Sequence, residues 1–301
     1  MTTESFRATM TARRFQRRLG LLFLLAAPLL AQQGPRIFIV TDMEGVDGVN
    51  NAEEQLLPGQ RRYEETRRLL TAEVNAAAEG AFLAGASRVV ILDGHDGSRS
   101  LSVDEIHPRA ELIQGHPTPP TYYLAERAFD GLMFVGQHAM AGAKNAVLAH
   151  SQNFGVERIT INGKPVGEIG QAAAIAGYFH IPVIMLSGDQ AACDEVRDLQ
   201  PKAEVVAVKH LAGTGSTWSL SHPVARERIR AAAERAVRRI SEFAPWRVAE
   251  PVELKIELYP EARGVPTAVL NSRDPNRQFA PHTVIYRGRT VLEAYQSWLG
   301  K

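Results

Sequence analysis

The segment Ile37-Phe-Ile-Val-Thr41 is an uncharged, largely apolar run that ends abruptly in Asp42-Met-Glu-Gly45. Such a run reads as a strand buried on both faces, and in open α/β sheets ligands collect at the C-terminal edge of strands of this kind. Alternate residues of a strand share a face, so Asp42 and Glu44 leave that edge toward one point while Gly45 lets the backbone turn sharply away. Two carboxylates that close repel each other unless a cation or a shared proton lies between them.

The rest of the chain continues the α/β pattern. Short apolar runs at Arg88–Asp93, Leu132–Gly136, Glu157–Ile161, Pro182–Ser187 and Glu204–Val208 predict strands. Between the first two strands, Gln60–Gly85 predicts a long helix with Leu70, Val74, Ala77, Ala81 and Ala84 on one face, Glu64 and Arg68 paired i,i+4 on the other, and Gly85 as its C-cap. A second helix, His222–Phe243, buries Ala225, Ile229, Ala232, Ala236 and Ile240. Asn162-Gly163 predicts a type I′ hairpin, so one strand pair should be antiparallel and the sheet mixed. After Pro245 and Pro251, a strand at Val252–Leu258 and a short helix near Thr290–Leu299 close the chain. The expected architecture is a three-layer α/β/α fold with a central mixed, mostly parallel sheet, divided into a catalytic region at 34–215 and a smaller C-terminal region at 216–301 that completes it.

Residues 1–33 stand apart. Arg7, Arg13, Arg14, Arg17 and Arg18 face only Glu4, and the apolar stretch Leu19–Ala31 follows, ending in a small residue before Gln32. That is the layout of a secretory signal peptide, with an uncleaved anchor as the alternative and a twin-arginine route permitted by Arg13-Arg14. The expectation is therefore an exported protein, periplasmic or secreted. Taking this segment's +4 from the formal +1 of the whole chain leaves about −3, which argues against nucleic acid or a stable membrane partner. Cys193 is the only cysteine, so an internal disulfide and a cysteine-based zinc site are both excluded, and any metal must use His, Asp and Glu.

Those donors recur at successive strand ends. Asp93-Gly-His95 follows the second strand as Asp42 follows the first, Gly136-Gln-His138 follows the third, and Gly167-Glu168 opens a helix at Gln171–Tyr178. Each has an ordinary structural reading alone: a hydrogen-bonded histidine, a helix N-terminal glutamate, a capping carboxylate. Together, Asp42, Glu44, His95, His138 and Glu168 offer two imidazoles and three carboxylates, a set that suits Zn²⁺ and also Mn²⁺ or Co²⁺. Five donors exceed what one catalytic zinc takes from a protein, which points to two metals sharing a carboxylate. His150 is a sixth ligand, a general base or a transition-state donor.

The segments Thr41-Asp-Met-Glu-Gly45, Asp93-Gly-His95, Gly136-Gln-His-Ala139, Ala149-His-Ser151, Ile161-Asn-Gly-Lys-Pro-Val-Gly-Glu168 and Leu186-Ser-Gly-Asp189 together resemble the D-aminopeptidase DppA family, the M55 metallopeptidases. The likeness runs in order from Arg36 to about Leu299. It implies a binuclear zinc peptidase, two Zn²⁺ per subunit, acting on short peptides with an N-terminal D-residue inside a ring-shaped homo-oligomer, of which a decamer is one size. It also implies that Asp42 bridges the zincs, Glu44 and His95 complete one, His138 and Glu168 complete the other, and His150 is an additional catalytic histidine. The family's label for that histidine is nucleophile, but a metal-bound hydroxide already fills that role, so base or oxyanion donor suits His150 better.

Other polar residues carry plainer readings. Asp93 and Asp96 either orient His95 or serve as turn residues; His107, His116 and His282 read as loop histidines; Asp189 caps a helix or supports the site. Cys193 reads as structural, and Ser219 and Ser221 lack a nucleophile elbow. A binuclear phosphoesterase and an exported peptide- or metal-binding protein are the competing functions that the same donors allow.

Overall fold

Ile37 and Ile39 face one core while Phe38 and Val40 face another, and this two-sided burial is why β1 (Arg36–Thr41) shows no polar alternation. The computed structural model describes residues 34–115, 124, 129–213, 215–260, 278–280 and 282–299. The export segment expected at 1–33, like His116, lies outside them. After β1 come a one-turn helix α1 (Ala52–Gln55), the long helix α2 (Tyr63–Leu83), β2 (Arg88–Leu92), β3 (Glu111–Ile113) and β4 (Gly131–Gln137). The middle of the chain holds β5 (Val156–Ile161), β6 (Lys164–Pro165), α3 (Glu168–Tyr178), β7 (Val183–Asp189), α4 (Gln190–Leu199), β8 (Glu204–Ala212) and β9 (Ser216–Ser219). It ends with α5 (His222–Arg238), β10 (Val252–Leu258), β11 (Gln278–Ala280), β12 (Thr283–Gly288) and α6 (Val291–Leu299).

Among the described residues the strands form two sheets. The larger has the order β3-β2-β1-β4-β7-β8-β9 and is parallel except for the β8–β9 hairpin. Its first face is covered by α2 and α5 through Leu70, Val74, Ala77, Ala225, Ile229 and Ala232. Its second face packs on Ile169, Ala173 and Ile175 of α3 and Val196 of α4. The mostly parallel central sheet between helical layers is the expected α/β class.

The mixed character arises differently from the expectation. Asn162 and Gly163 adopt φ of 49° and 81°, the left-handed pair of a type I′ turn, but their hairpin β5–β6 belongs to a second, antiparallel sheet of order β11-β12-β10-β5-β6. The partner strands β10 and β12 come from beyond residue 250, and Leu254, Ile256 and Tyr286 join the same core as Phe38 and Phe134. A strand's sheet is decided by a distant partner, which local turn chemistry does not encode.

Other boundaries shift for local reasons. The α2 helix starts at Tyr63 because the Gln60 side chain is engaged with the preceding turn, accepting from the Leu56 and Leu57 amides at 2.6 and 2.8 Å. Glu64 pairs with Arg67 at 2.9 Å rather than with Arg68, since Arg67 is also anchored on the Ser100 carbonyl. The α5 helix stops at Arg238 and a 3₁₀ turn, Ile240–Glu242, follows it. No helix among the described residues is long and apolar enough to cross a membrane.

Asn162 ties the hairpin to β10: its amide nitrogen donates to the Ala249 and Pro251 carbonyls and its oxygen accepts from Glu253 N–H. With a left-handed φ to maintain as well, Asn162→Ala should destabilise the fold by about 2 kcal/mol. A denaturant midpoint indistinguishable from that of the parent would show that the second sheet does not depend on this turn.

Candidate metal centre

The register of the parallel strands sets the site. Val40 lies beside Leu92 and Thr41 beside Val135, so the residues after β1, β2 and β4 emerge together at one sheet edge. Asp42 N–H still donates to the Val135 carbonyl and Gly45 N–H to the Gly136 carbonyl, which holds the Asp-x-Glu-Gly turn against the end of β4. A side chain at Gly45 would place its Cβ 1.9 Å from the Gln137 carbonyl oxygen, so only glycine allows this approach. The α3 helix then brings Glu168 to the cluster from its first residue, where the helix dipole favours a carboxylate.

All six residues singled out in the sequence meet here. Asp42 faces both ways: Oδ1 lies 3.0 Å from His95 Nδ1, and Oδ2 lies 3.3 Å from His138 Nε2. Glu44 Oε2 is 3.1 Å from His95 Nδ1, and Glu168 Oε1 is 3.5 Å from His138 Nε2. His150 Nε2 stands 3.9 Å from one oxygen of Glu44 and 3.9 Å from one of Glu168, between the two groups. The donors gather as Asp42-Glu44-His95 and His138-His150-Glu168, each set within 4.8 Å.

Three observations test whether these residues fit metal ions. First, each imidazole has its outward nitrogen on a backbone carbonyl: His95 Nε2 donates to Leu56 at 2.9 Å, His138 Nδ1 to Ala139 at 3.0 Å, and His150 Nδ1 to Leu148 at 2.9 Å. A carbonyl only accepts, so the proton belongs on the outward nitrogen and the inward lone pair is left for a cation. Second, His138 Nε2 and Glu44 Oε2 are buried and make no hydrogen bond, although both point into the cluster. Third, the spacings of 3.0–3.5 Å bracket the separation of about 3.4 Å between donors around tetrahedral zinc. The set fits divalent metal ions.

The electrostatics of the protein alone show how strongly the cluster favours positive charge. Burial favours neutral rings at His95 and His138, yet Glu44 and Asp42 around the first, and Asp42 and Glu168 around the second, hold both well above the usual imidazole range. Burial likewise opposes ionisation of Asp42 and Glu168, and is outweighed by the histidines, so both carboxyls lie below their usual range. Proton or metal, positive charge must sit between these groups.

Several supporting residues were not legible in advance. Gln137 donates to Asp42 Oδ2 at 3.2 Å, and the Gln152 N–H donates to Glu168 Oε1 at 2.8 Å. His95 is oriented by the Leu56 carbonyl. Asp93 instead accepts from the Leu101 N–H at 2.8 Å and ties down the following loop. Asp189 caps α4 through the Ala192 N–H and accepts from the Val147 N–H, pinning the loop that carries His150. Cys193 is fully buried, and burial pushes its thiol up, away from reactivity. Lys209 is the least expected: wholly buried, it points its Nζ at the carbonyls of Glu44, Val46 and Val49 and so clasps the turn that presents Glu44. The one lysine within Val205-Val-Ala-Val-Lys-His-Leu211 is the available signal, since the strand expected to end at Val208 runs on to Ala212.

A cleft of about 440 Å³ opens over the cluster, lined inside by Val40, Leu92, Phe134 and Ala172, with the exposed Leu57 and Phe154 also on its wall. The D-aminopeptidase family of M55 peptidases matches residues 36–299, a span that contains every element of the site. The chain belongs to this family. Over 265 residues this M55 chain is 30% identical to the D-aminopeptidase of Bacillus subtilis (strain 168), covering 88% of the chain and 95% of that relative. It also superposes with a TM-score of 0.78, at 30% identity and the same coverage, on the solved structure of the Zn-dependent D-aminopeptidase DppA from Bacillus subtilis, a self-compartmentalizing protease.

Replacing Lys209 with methionine keeps its length but leaves three buried carbonyls without a donor. Lys209→Met should lower stability by about 3 kcal/mol and reduce metal retention at the Asp42-Glu44-His95 group. An unchanged denaturant midpoint together with full metal content would show that the clasp is dispensable.

Proposed function

We propose that this M55 peptidase is a zinc-dependent aminopeptidase that removes an N-terminal D-residue from short peptides or amino-acid amides, using two zinc ions per subunit. The observation that carries the reading is the Asp42 carboxylate, whose two oxygens face two separate His/Glu groups. Asp42, Glu44 and His95 would hold one ion; Asp42, His138 and Glu168 the other. When bound, such a pair lowers the pKa of water and polarises the carbonyl of the scissile amide.

The chain's own residues prepare that chemistry. Met43 N–H and Gln137 fix the Asp42 carboxylate from two sides, so neither oxygen swings away. His150, with Nδ1 committed to Leu148, presents Nε2 between the two groups, where it takes up a proton or donates to a developing oxyanion. Substrate reaches this point through the cleft, whose inner wall of Val40, Leu92 and Phe134 excludes water from one side of the reacting centre.

The self-compartmentalizing description of the Bacillus subtilis structure supports a closed homo-oligomeric ring, with a decamer as the size to test. The basic and apolar layout of residues 1–33 supports export to the periplasm or beyond.

The test combines metal analysis, native mass and a panel of D- and L-aminoacyl amides. The parent should carry about two zincs per chain and release D-residues in a chelator-sensitive way, without hydrolysing chromogenic phosphate esters. Asp42→Ala should lose metal and activity together, whereas His150→Ala should keep most metal while activity falls by about 10²- to 10⁴-fold. Activity persisting in Asp42→Ala would refute the shared-carboxylate scheme.

A further inference from the structure

His150 is held in a stack of three rings. On one side its imidazole lies against His138, with centroids 3.9 Å apart and planes 13° from parallel; on the other it lies against Phe154, at 4.4 Å and 29°. His138 is rigid by construction, since it follows β4 and is buried on all sides. Phe154 is different: 56% of its surface is exposed. An exposed aromatic is common on a protein surface, but this one is stacked on the His150 ring and also lines the cleft.

The segment that carries Phe154 is tethered to the site rather than free. Gln152, at a φ of 66°, donates its N–H to Glu168 Oε1; Ser151 Oγ accepts from the Ala141 N–H; and Asn153 Oδ1 accepts from the Gly155 N–H. Leu148, at a φ of 56°, turns its carbonyl onto His150 Nδ1. That one hydrogen bond fixes an edge of the ring but leaves rotation about it. A ring gripped on both faces has no such rotation left.

We propose that Phe154 is a positioning residue which, by closing the stack on His150 from the cleft side, keeps His150 Nε2 aimed between the two metal-ligand groups during turnover. The inference rests on the reading of His150 as the residue that handles a proton or an oxyanion. Phe154 holds no metal and need not contact substrate. Its contribution therefore belongs to kcat more than to KM, and depends on a flat ring rather than on apolar bulk.

Three variants separate these possibilities: Phe154→Ala, Phe154→Leu and Phe154→Trp, each examined for zinc content, for steady-state kinetics on a D-aminoacyl amide, and by crystallography of the zinc-loaded protein. Phe154→Ala should retain its zinc, lose about 10- to 100-fold in kcat with KM changed by less than about threefold, and show the His150 ring rotated or split. Phe154→Leu should resemble it, while Phe154→Trp recovers most of the rate. The proposal is overturned if His150 keeps its orientation in Phe154→Ala, if leucine serves as well as phenylalanine, if only KM moves, or if zinc is lost. Failure of the peptidase reading is a separate result, visible as a zinc-loaded parent without turnover; the His150 ring in Phe154→Ala then decides the positioning role by itself.

Discussion

Three carboxylates gathered at one nearly dry sheet edge form the constraint on which this structure depends. Carboxylate oxygens of Asp42 and Glu44 lie within 4.8 Å of each other, and like charges at that distance repel by about 3.5 kcal/mol even at an effective dielectric constant of 20. Burial removes the water that would otherwise screen them. The fold answers with donors from every direction: imidazoles from the ends of β2 and β4, the amide of Gln137, the N–H of Gln152, and the N-terminus of α3. None of these is a free cation competing for the cluster, so the remaining positive charge must come from protons or metal ions.

The same imbalance explains Lys209. Seen from the interior, the turn after Asp42 exposes the carbonyls of Glu44, Val46 and Val49 to a region that also contains Asp47, Glu73 and Asp189. Burial lowers the Lys209 ammonium to about 8, which leaves it charged at neutral pH, and the surrounding acids oppose the shift. Burial also pushes the Glu73 carboxyl up to about 8, and its Oε1 accepts from the Asp47 N–H. The turn that presents Glu44 is thereby held from below by a cation and from above by the ligand cluster.

What could be read in advance follows from the range over which each feature is encoded. The bounds of β1, the apolar stripe of α2 and the left-handed Asn162-Gly163 pair are local, and they appear in the structure where periodicity and turn chemistry put them. The convergence of Asp42, Glu44, His95, His138, His150 and Glu168 was legible because parallel strands bring their C-terminal ends to one edge, so position after a strand implies position in space. The second sheet was not legible, because β5 finds β10 across some 90 residues and nothing near Asn162 names that partner. Lys209 escaped for a related reason: a single charge in an apolar strand reads as the point where the strand leaves the core, and only tertiary structure reveals carbonyls waiting for it. Leu56 orients His95 through its backbone, where side-chain identity carries no signal at all.

The division between rigid and strained parts of the site bears on how it works. Five of the six cluster residues sit at, or just beyond, the ends of strands or at the start of a helix, where packing on two cores fixes their positions. His150 alone comes from an irregular loop, and that loop contains Asn145, Leu148 and Gln152 at positive φ, conformations that cost an L-residue about 1–2 kcal/mol each. Such a loop persists only if its surroundings determine it, here through Asp189 on Val147, Ser151 on Ala141 and Glu168 on Gln152. Ligands need a fixed position, whereas a group that moves a proton needs a fixed direction and a local environment that can differ from that of the ligands. Under the proposed function, a His150 on a separately braced loop, stacked on the His138 ring, meets both needs without loosening the metal-binding groups.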